Sequence, residues 1–146
     1  MQLDKFKLKK IKGDASFRTF YRKKNGNKKS IIVFAFKKKK KNLLIYDAVN
    51  SLLIKNRILA PKLYNENYKK NFIEIQDFGK HNILHLLKKK IIDKKRIYKK
   101  SIDLLIKIQK IKNKTTKNFE GKNYKLPNYD AVKLFAETKL FLDWYA

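Results

Sequence analysis

The fold is decided by residues 16–36, which read SFRTFYRKKNGNKKSIIVFAF. Residues 16–24 alternate between aromatic and polar side chains, and residues 31–36 form an unbroken apolar run; both patterns are typical of β-strands. Asn25-Gly26-Asn27 lies between them. Asn-Gly between two strand-like runs is a strong hairpin signal, because both residues tolerate the positive φ of a type I′ turn. The stretch therefore predicts two antiparallel strands joined by a type I′ turn.

The period of the apolar residues changes after Asn42, which we expect to cap a helix. The helical pattern ends near Pro61. Apolar side chains then return in two short runs, residues 63–64 and 72–75, which flank a polar stretch and predict a second pair of strands. The sheet is therefore expected to be mostly antiparallel. The apolar stripe predicted for the helix consists of Leu44, Ile45, Ala48, Val49, Leu52 and Leu53.

The pattern after Asp77-Phe78-Gly79 is helical. Apolar residues recur at helical spacing in residues 83–87, 97–108 and 132–144, whereas residues 112–127 are predicted to be a polar loop. The fold class predicted from this order is α+β: an antiparallel sheet with one helix, followed by further helices.

The composition limits the classes of protein that this chain can be. It has 146 residues, enough for one domain or part of a larger one, and 43% of them are apolar, which is too many for a disordered basic tail. With no cysteine, disulfides and thiolate chemistry are excluded. No run of 18 apolar residues and no signal-peptide core are present, so we expect a cytoplasmic protein that does not enter a membrane.

The charge is the most unusual property of the chain. Lys and Arg number 39 against 12 Asp and Glu, a formal net charge of +27. Such a charge attracts nucleotides and nucleic acid without sequence specificity and in a salt-dependent way. One hypothesis is therefore a nucleic-acid-binding module. Its stacking platforms would be the strand aromatics Phe17, Phe20, Tyr21, Phe34 and Phe36.

A second hypothesis comes from the order of the elements and from six motifs. Strands, a helix, two more strands, a glycine-containing break and then helices are the plan of a kinase small lobe joined to the start of a large lobe. The motifs are Gly13–Arg22, Leu59–Pro61, Ile73–Gly79, Ile106–Gln109, Leu126–Asp130 and Glu137–Tyr145. In this order they resemble the aminoglycoside phosphotransferase-like kinase family, most closely its bacterial cell-wall amino-sugar kinases.

The resemblance covers only the first half of that family. It implies a kinase-like N-lobe with the nucleotide-binding hairpin and hinge in residues 1–79, and the first helices of an incomplete C-lobe in residues 80–146. It also implies ATP as the phosphoryl donor and N-acetylmuramate or N-acetylglucosamine as the acceptor, phosphorylated at the anomeric position. Catalysis would require more chain.

The resemblance also assigns a nucleotide site. The phosphates would lie under Gly13, Asp14, Ala15, Ser16 and Phe17, with Ser16 as the best side-chain candidate. Adenine would meet the backbone of the hinge, formed by Gln76, Asp77 and Phe78. The apolar slot around the base would be lined by Val33 and Ile75.

Lys37 has two interpretations that the sequence leaves open. Phe34-Ala35-Phe36-Lys37 matches the Val-Ala-Ile-Lys of kinases, so Lys37 could end a strand and reach the phosphates. It is also the first of five consecutive lysines, so it could equally be solvated. Asp47 is the only acid of the predicted helix that could pair with such a lysine.

No catalytic or metal-binding residue is predicted within these 146 residues. The chain has no His-x-Asp followed by asparagine, so the base and the Mg²⁺ ligands are expected in the absent C-terminal half. Asp77-Phe78-Gly79 falls at the hinge, where we expect it to bind no metal. His81 and His85, four apart on a predicted helix, are interpreted as solvated or packing side chains.

Overall fold

The computed structural model describes residues 7–12, 16–128 and 130–145. It confirms the α+β class: a five-stranded antiparallel sheet, a small two-stranded sheet and four helices lie within those residues. The strands are β1 (Lys7–Ile11), β2 (Arg18–Asn25), β3 (Lys28–Ala35), β4 (Leu63–Asn67), β5 (Phe72–Gln76), β6 (Thr115–Lys117) and β7 (Asn123–Lys125). The helices are α1 (Lys41–Lys55), α2 (Ile83–Lys88), α3 (Lys94–Gln109) and α4 (Ala131–Tyr145).

The predicted hairpin is confirmed, but its turn is of another type. Asn25 pairs with Lys28 in the register of β2 and β3, so Gly26 and Asn27 are the two central residues. Of these two, only Gly26 has a positive φ, at 57°. That is the pattern of a type II′ turn, which requires the freedom of glycine at its first central position alone. The prediction of a type I′ turn was therefore wrong.

The large sheet has the strand order β1-β2-β3-β5-β4. Successive side chains of a strand point to opposite faces, so one face carries alternate residues of β3 and β5. Helix α1, which connects β3 to β4 in the chain, packs on that face through Leu43. The resulting core cluster consists of Ile31, Val33, Ala35, Leu43, Ile73 and Ile75.

Helix α1 buries a stripe that overlaps the predicted one only in Ala48 and Leu52. It begins at Lys41, and Asn42 lies inside it with its side-chain amide donating to the Lys39 carbonyl (3.0 Å), so Asn42 is not the cap. A 3₁₀ turn, Lys37–Lys39, precedes the helix and fixes its rotation about its axis. Each residue of offset turns a helix by about 100°. The buried residues are therefore Leu43, Asp47, Ala48 and Leu52, while Ile45 is exposed.

The segment predicted to be a polar loop is instead a packed element. Residues 111–126, here called the return segment, contain the β6–β7 hairpin, which packs on α1 and buries Thr116. Its Phe119 ring meets the Tyr68 ring edge-on, with centroids 5.8 Å apart, and joins the edge of the core cluster. Its two ends form a second small core, in which Ile111 and Leu126 pack with Leu52, Leu53 and Ile58.

Helices α2, α3 and α4 are confirmed, and each has a side-chain cap at its start. Asn82 accepts from the His85 N–H (2.8 Å) at the start of α2, and Asp93 accepts from the Arg96 N–H (2.7 Å) at the start of α3. Asp130 accepts from the Lys133 N–H (3.0 Å) at the start of α4. His81 precedes α2, so the prediction that both histidines lie on one helix was wrong. Among the described residues, no helix is long and apolar enough to cross a membrane.

Candidate functional site

The predicted phosphate loop is described only at its C-terminal end. Gly13, Asp14 and Ala15 lie outside the described residues. The Ser16 hydroxyl accepts from the Arg18 N–H (3.2 Å), which folds the chain back at the start of β2. The Phe17 side chain is 65% exposed, and the Lys39 ammonium lies 4.6 Å from its ring centroid. The connection between β1 and β2 therefore ends beside the connection between β3 and α1.

The lysine run does not have the position expected from the kinase pattern. Strand β3 ends at Ala35, so Lys37 lies in the 3₁₀ turn and does not end the strand. Lys37 is exposed, and its carbonyl accepts from the Lys40 N–H (3.4 Å). Lys39 is the member of the run whose ammonium lies at Phe17. The sequence could not distinguish Lys39, because its neighbours in the run are identical in type.

Val33 and Ile75, predicted to line the adenine slot, lie together in the core cluster. Val33 is 0% exposed and Ile75 is 3% exposed. Their side chains lie on the side of the sheet that faces α1 and contribute to the stability of the core. Their role as a slot lining stays a prediction.

The predicted hinge is clamped to strand β2. The Arg22 guanidinium donates to both carboxylate oxygens of Asp77, from Nε at 2.6 Å and from Nη2 at 3.0 Å. Arg22 also donates to the Gly79 carbonyl (2.5 Å), and the Gly79 N–H donates back to Asp77 (2.8 Å). This cluster of Arg22, Asp77 and Gly79 is here called the hinge clamp. It fixes the segment after β5 against β2 through bidentate, charge-assisted hydrogen bonds.

The hinge clamp determines the charge state of its groups. The hydrogen bonds from Arg22 lower the pKa of Asp77 below its ordinary value, against the opposing effect of burial. The same pair raises the pKa of Arg22. Sequence patterns missed this pairing because the two residues are 55 positions apart. The available signal was that Arg22 is one of only four arginines in a chain rich in lysine.

The two other hinge residues, Gln76 and Phe78, differ in their contacts. The Gln76 N–H donates to the Lys62 carbonyl (2.9 Å), which extends the pairing of β5 with the chain before β4. Phe78 is 54% exposed. A ligand at the hinge would therefore meet Asp77 and Phe78 rather than the Gln76 amide.

Asp47, the acid of α1, serves the return segment. Its carboxylate is buried and accepts from the Phe119 backbone N–H. Burial raises the pKa of Asp47, because a carboxylate loses hydration that one hydrogen bond does not replace. The hydrogen bond joins the middle of α1 to the turn of the β6–β7 hairpin, so Asp47 fastens the return segment to the helix.

Two other site hypotheses can be compared with the structure. The described residues contain no group of three or more His, Cys, Asp or Glu side chains that could hold a metal ion. The strand aromatics do not form one stacking face: Phe20 packs at the edge of the core near Tyr46, and the adjacent Tyr21 points to the other side of β2. Phe36, which is 68% exposed, lies beyond the end of β3.

Two curated proteins align with nearly the whole chain. The N-acetylmuramate/N-acetylglucosamine kinase of Pseudomonas aeruginosa is 27% identical over 132 residues, which cover 90% of this chain and 36% of that protein. The protein of the same name from Pseudomonas putida is 25% identical over 132 residues, covering 90% of this chain and 35% of that protein. The chain thus spans about a third of the length of the curated relatives it matches.

The other comparisons are negative. No family model matches the chain, and no solved structure matches it. The resemblance predicted from the six motifs is nevertheless confirmed by the two relatives. Over nine-tenths of its length, this chain resembles part of the bacterial N-acetylmuramate/N-acetylglucosamine kinases.

Proposed function

We propose that this chain is the nucleotide-binding part of an ATP-dependent phosphotransferase that acts on a cell-wall amino sugar. The observation that carries the proposal is the similarity to two amino-sugar kinases over 90% of the chain. The fold supports it, because the five-stranded antiparallel sheet, with its one helix between β3 and β4 and further helices after β5, agrees with the small-lobe plan expected from the sequence.

In this proposal the phosphates of ATP lie between the end of the β1–β2 connection and the lysine run. Ser16 offers a hydroxyl there, and Lys39 offers the cation. A cation resting over an exposed aromatic ring is stabilised by only about 0.5–1 kcal/mol, so the Lys39 ammonium can leave Phe17 for a phosphate. Lys37 remains the alternative phosphate lysine.

Adenine would contact the backbone of Asp77 and Phe78, which the hinge clamp holds at the end of β5. A base needs donors and acceptors at fixed positions, and the bidentate Arg22–Asp77 pair supplies that rigidity. Val33 and Ile75 would support the slot from within the core.

The transfer step would require residues outside this chain. Phosphoryl transfer depends on positioning and on charge neutralisation by a base and by Mg²⁺, for which the sequence offers no His-x-Asp…Asn motif. We therefore expect the 146 residues with Mg-ATP and N-acetylmuramate to form no sugar phosphate. Product that depends on the protein would contradict the assignment of the residues.

Nucleotide binding is tested by thermal unfolding at about 300 mM salt, where the attraction of a +27 chain for any polyanion is largely screened. ATP is compared with inorganic tripolyphosphate, which has the phosphates without the base. Ligand at about 100 times its Kd raises the free energy of unfolding by about 2.7 kcal/mol. We expect ATP to raise Tm and tripolyphosphate to have a much smaller effect. Equal effects would reject the adenine site, and an oligonucleotide that binds more tightly than ATP would favour the nucleic-acid hypothesis.

The role of Lys39 has a matched control in the same turn. Lys38 and Lys39 are both exposed and carry the same charge, so Lys38→Ala and Lys39→Ala lower the net charge equally. We expect Lys39→Ala to weaken ATP binding about tenfold, the loss of one charge-assisted hydrogen bond, and Lys38→Ala to leave it nearly unchanged. If only Lys37→Ala weakens binding, the phosphate lysine is Lys37.

A further inference from the structure

The sheet face opposite α1 carries a buried polar cluster. The Lys23 ammonium donates to both carboxylate oxygens of Glu74, each at 3.1 Å, and the Ser30 hydroxyl donates to the same carboxylate at 2.5 Å. Lys23 is 7% exposed and Ser30 is 6% exposed. The cluster joins the three central strands, β2, β3 and β5, by side chains alone.

Stability does not account for this cluster. Removing two charges from water costs about as much as their attraction returns, and apolar side chains of similar volume stabilise such a position equally well or better. The same face carries Ile32 and Phe72 in that role, both nearly fully buried. Stability alone therefore does not require an ion pair and a hydroxyl at this position, and their polar atoms can also serve a ligand.

The cluster forms the floor of a cavity of about 310 Å³. This volume is at the lower end of the range typical of small-molecule sites. The rim of the cavity carries Lys28 and Asn25, which pair across the end of the hairpin and lie on the same face as Ser30. The neighbouring Lys29 lines the cavity too, but by alternation its side chain lies on the α1 face, where its charge helps to lower the pKa of Asp77. Lys23 and Glu74 neutralise each other, so Lys28 leaves the cavity with a net positive charge that favours an anionic ligand.

One wall of the cavity is the ring of Tyr64, which is 56% exposed. Tyr64 owes its position to an irregularity in β4. Leu63 pairs with Ile75 and Asn65 pairs with Glu74, so Tyr64 is the residue without a partner in the register. A β-bulge of this kind redirects a side chain and is over-represented beside functional sites.

We propose that this cavity binds a sugar phosphate, with the phosphate at Lys28, the sugar ring against Tyr64, and a sugar hydroxyl hydrogen-bonded to Ser30 or Glu74. Each part of the ligand matches a group that is present: a cation for a phosphate monoester, an aromatic face for the C–H face of a sugar ring, and a polar floor for hydroxyls. The site lies on the opposite face of the sheet from α1, so it is separate from the nucleotide site and does not depend on the proposed function.

The test is an NMR titration of the labelled 146-residue chain with glucose 1-phosphate, at about 150 mM salt to screen diffuse attraction. Glucose and inorganic phosphate serve as the two halves of the probe. We expect glucose 1-phosphate to shift the amide signals of Lys28, Ser30, Tyr64 and Glu74 in a saturable way, and each half alone to bind more weakly. Shifts spread over all lysines, or equal binding of inorganic phosphate, would overturn the proposal.

Two variants with matched controls separate the site from the general charge. Lys28→Ala and Lys38→Ala each remove one exposed cation, and only the first removes it from the rim. Tyr64 and Tyr98 are both 56% exposed, and only Tyr64 lines the cavity. We expect about tenfold weaker binding for Lys28→Ala and about threefold to tenfold for Tyr64→Ala, with Lys38→Ala and Tyr98→Ala near wild type. Equal losses in the matched variants would overturn the proposal.

Discussion

Helices α1 and α3 have nearly the same length, 15 and 16 residues, but differ in burial. Apolar and basic residues are separated onto opposite faces much more clearly in α3 than in α1. Yet α1 buries four residues, and the helix with the better pattern buries none. Amphipathic patterning prepares a helix for burial, but burial itself requires elements to pack against. Strands β3 and β5 and the return segment supply them for α1.

The same contrast separates the two halves of the chain. The sheet, α1 and the return segment share the described cores, whereas α2, α3 and α4 contribute no buried residue among those described. The large apolar side chains that these three helices leave exposed include Leu84, Ile102, Leu105, Ile106, Leu134, Phe135 and Trp144. We therefore expect the sheet half, which consists of the sheet, α1 and the return segment, to supply most of the free energy of unfolding.

The largest effect is expected from a pair of equal truncations, one in each half. Ile73→Ala removes a side chain that is 0% exposed in the core cluster, and Ile102→Ala removes the same atoms from α3, where Ile102 is 56% exposed. We expect Ile73→Ala to lower the free energy of unfolding by about 2–5 kcal/mol, since it leaves a cavity. Ile102→Ala should change it by less than about 0.5 kcal/mol.

Urea unfolding followed by circular dichroism measures both variants. A loss of more than about 1 kcal/mol in the free energy of unfolding for Ile102→Ala would show that α3 is packed in solution. The two halves would then not differ in packing. If the helical signal has a separate transition at a lower urea concentration, the two halves unfold independently, and the difference between them is larger than burial alone indicates.

The sequence predicted those elements whose signal is local. Alternation gave β2, the apolar runs gave β3, β4 and β5, and helical spacing gave all four helices. The return segment was missed because its apolar residues, chiefly Phe119 and Leu126, are too widely spaced to form a pattern. Their importance comes from contacts with α1, Tyr68 and Ile58, which are distant in the sequence.

The candidate site shows the same limit. The motifs led to Ser16, Phe17 and the hinge, but no local pattern could show that Lys39 rests on Phe17 or that Arg22 clamps Asp77. The path of the chain between β3 and α1 also determines which face of α1 lies against the sheet. The 3₁₀ turn that sets it leaves no distinct mark in a run of five lysines.

A smaller effect is expected from Asp77→Asn, which weakens the hinge clamp at the boundary between the two halves. The substitution keeps the shape and removes the charge, so the free energy of unfolding at pH 7 should fall by about 1–3 kcal/mol. The pKa of Asp77 is lowered in the folded protein, so the folded state binds fewer protons than the unfolded state. Its stabilisation is therefore present above the ordinary Asp pKa, about 3.9, and is lost as the pH falls through the lowered value.

The measurement is the difference in urea midpoint between wild type and Asp77→Asn from pH 7 down to about pH 3. It should shrink below about pH 4, because the Asp77 carboxylate of the unfolded chain then takes up protons before that of the folded chain does. Asp93→Asn is the control, since Asp93 is an exposed cap and asparagine caps a helix equally well. A difference that does not change with pH would mean that the clamp does not hold an ionised Asp77.

The smallest effect, and the one with the opposite sign, is expected from Asp47→Asn within the sheet half. Burial raises the pKa of Asp47, so the folded state binds more protons than the unfolded state, and wild-type stability falls as the pH rises from about 3.9 through the raised value. Asparagine has no charge to desolvate and still offers an oxygen to the Phe119 N–H. We expect stability at pH 7 to be unchanged or higher by up to about 1 kcal/mol, measured by urea unfolding as a function of pH.

Asp47→Ala completes this test, because it removes the acceptor as well as the charge. The N–H of the half-buried Phe119 is then left without its side-chain partner, and the free energy of unfolding should fall by about 1–3 kcal/mol. A higher free energy of unfolding for Asp47→Asn than for Asp47→Ala at pH 7 would show that the hydrogen bond, not the charge, fastens the return segment to α1. If Asp47→Asn lowers the free energy of unfolding as much as Asp47→Ala does, the ionised carboxylate itself stabilises this contact. The sheet half then depends on a charge that burial disfavours.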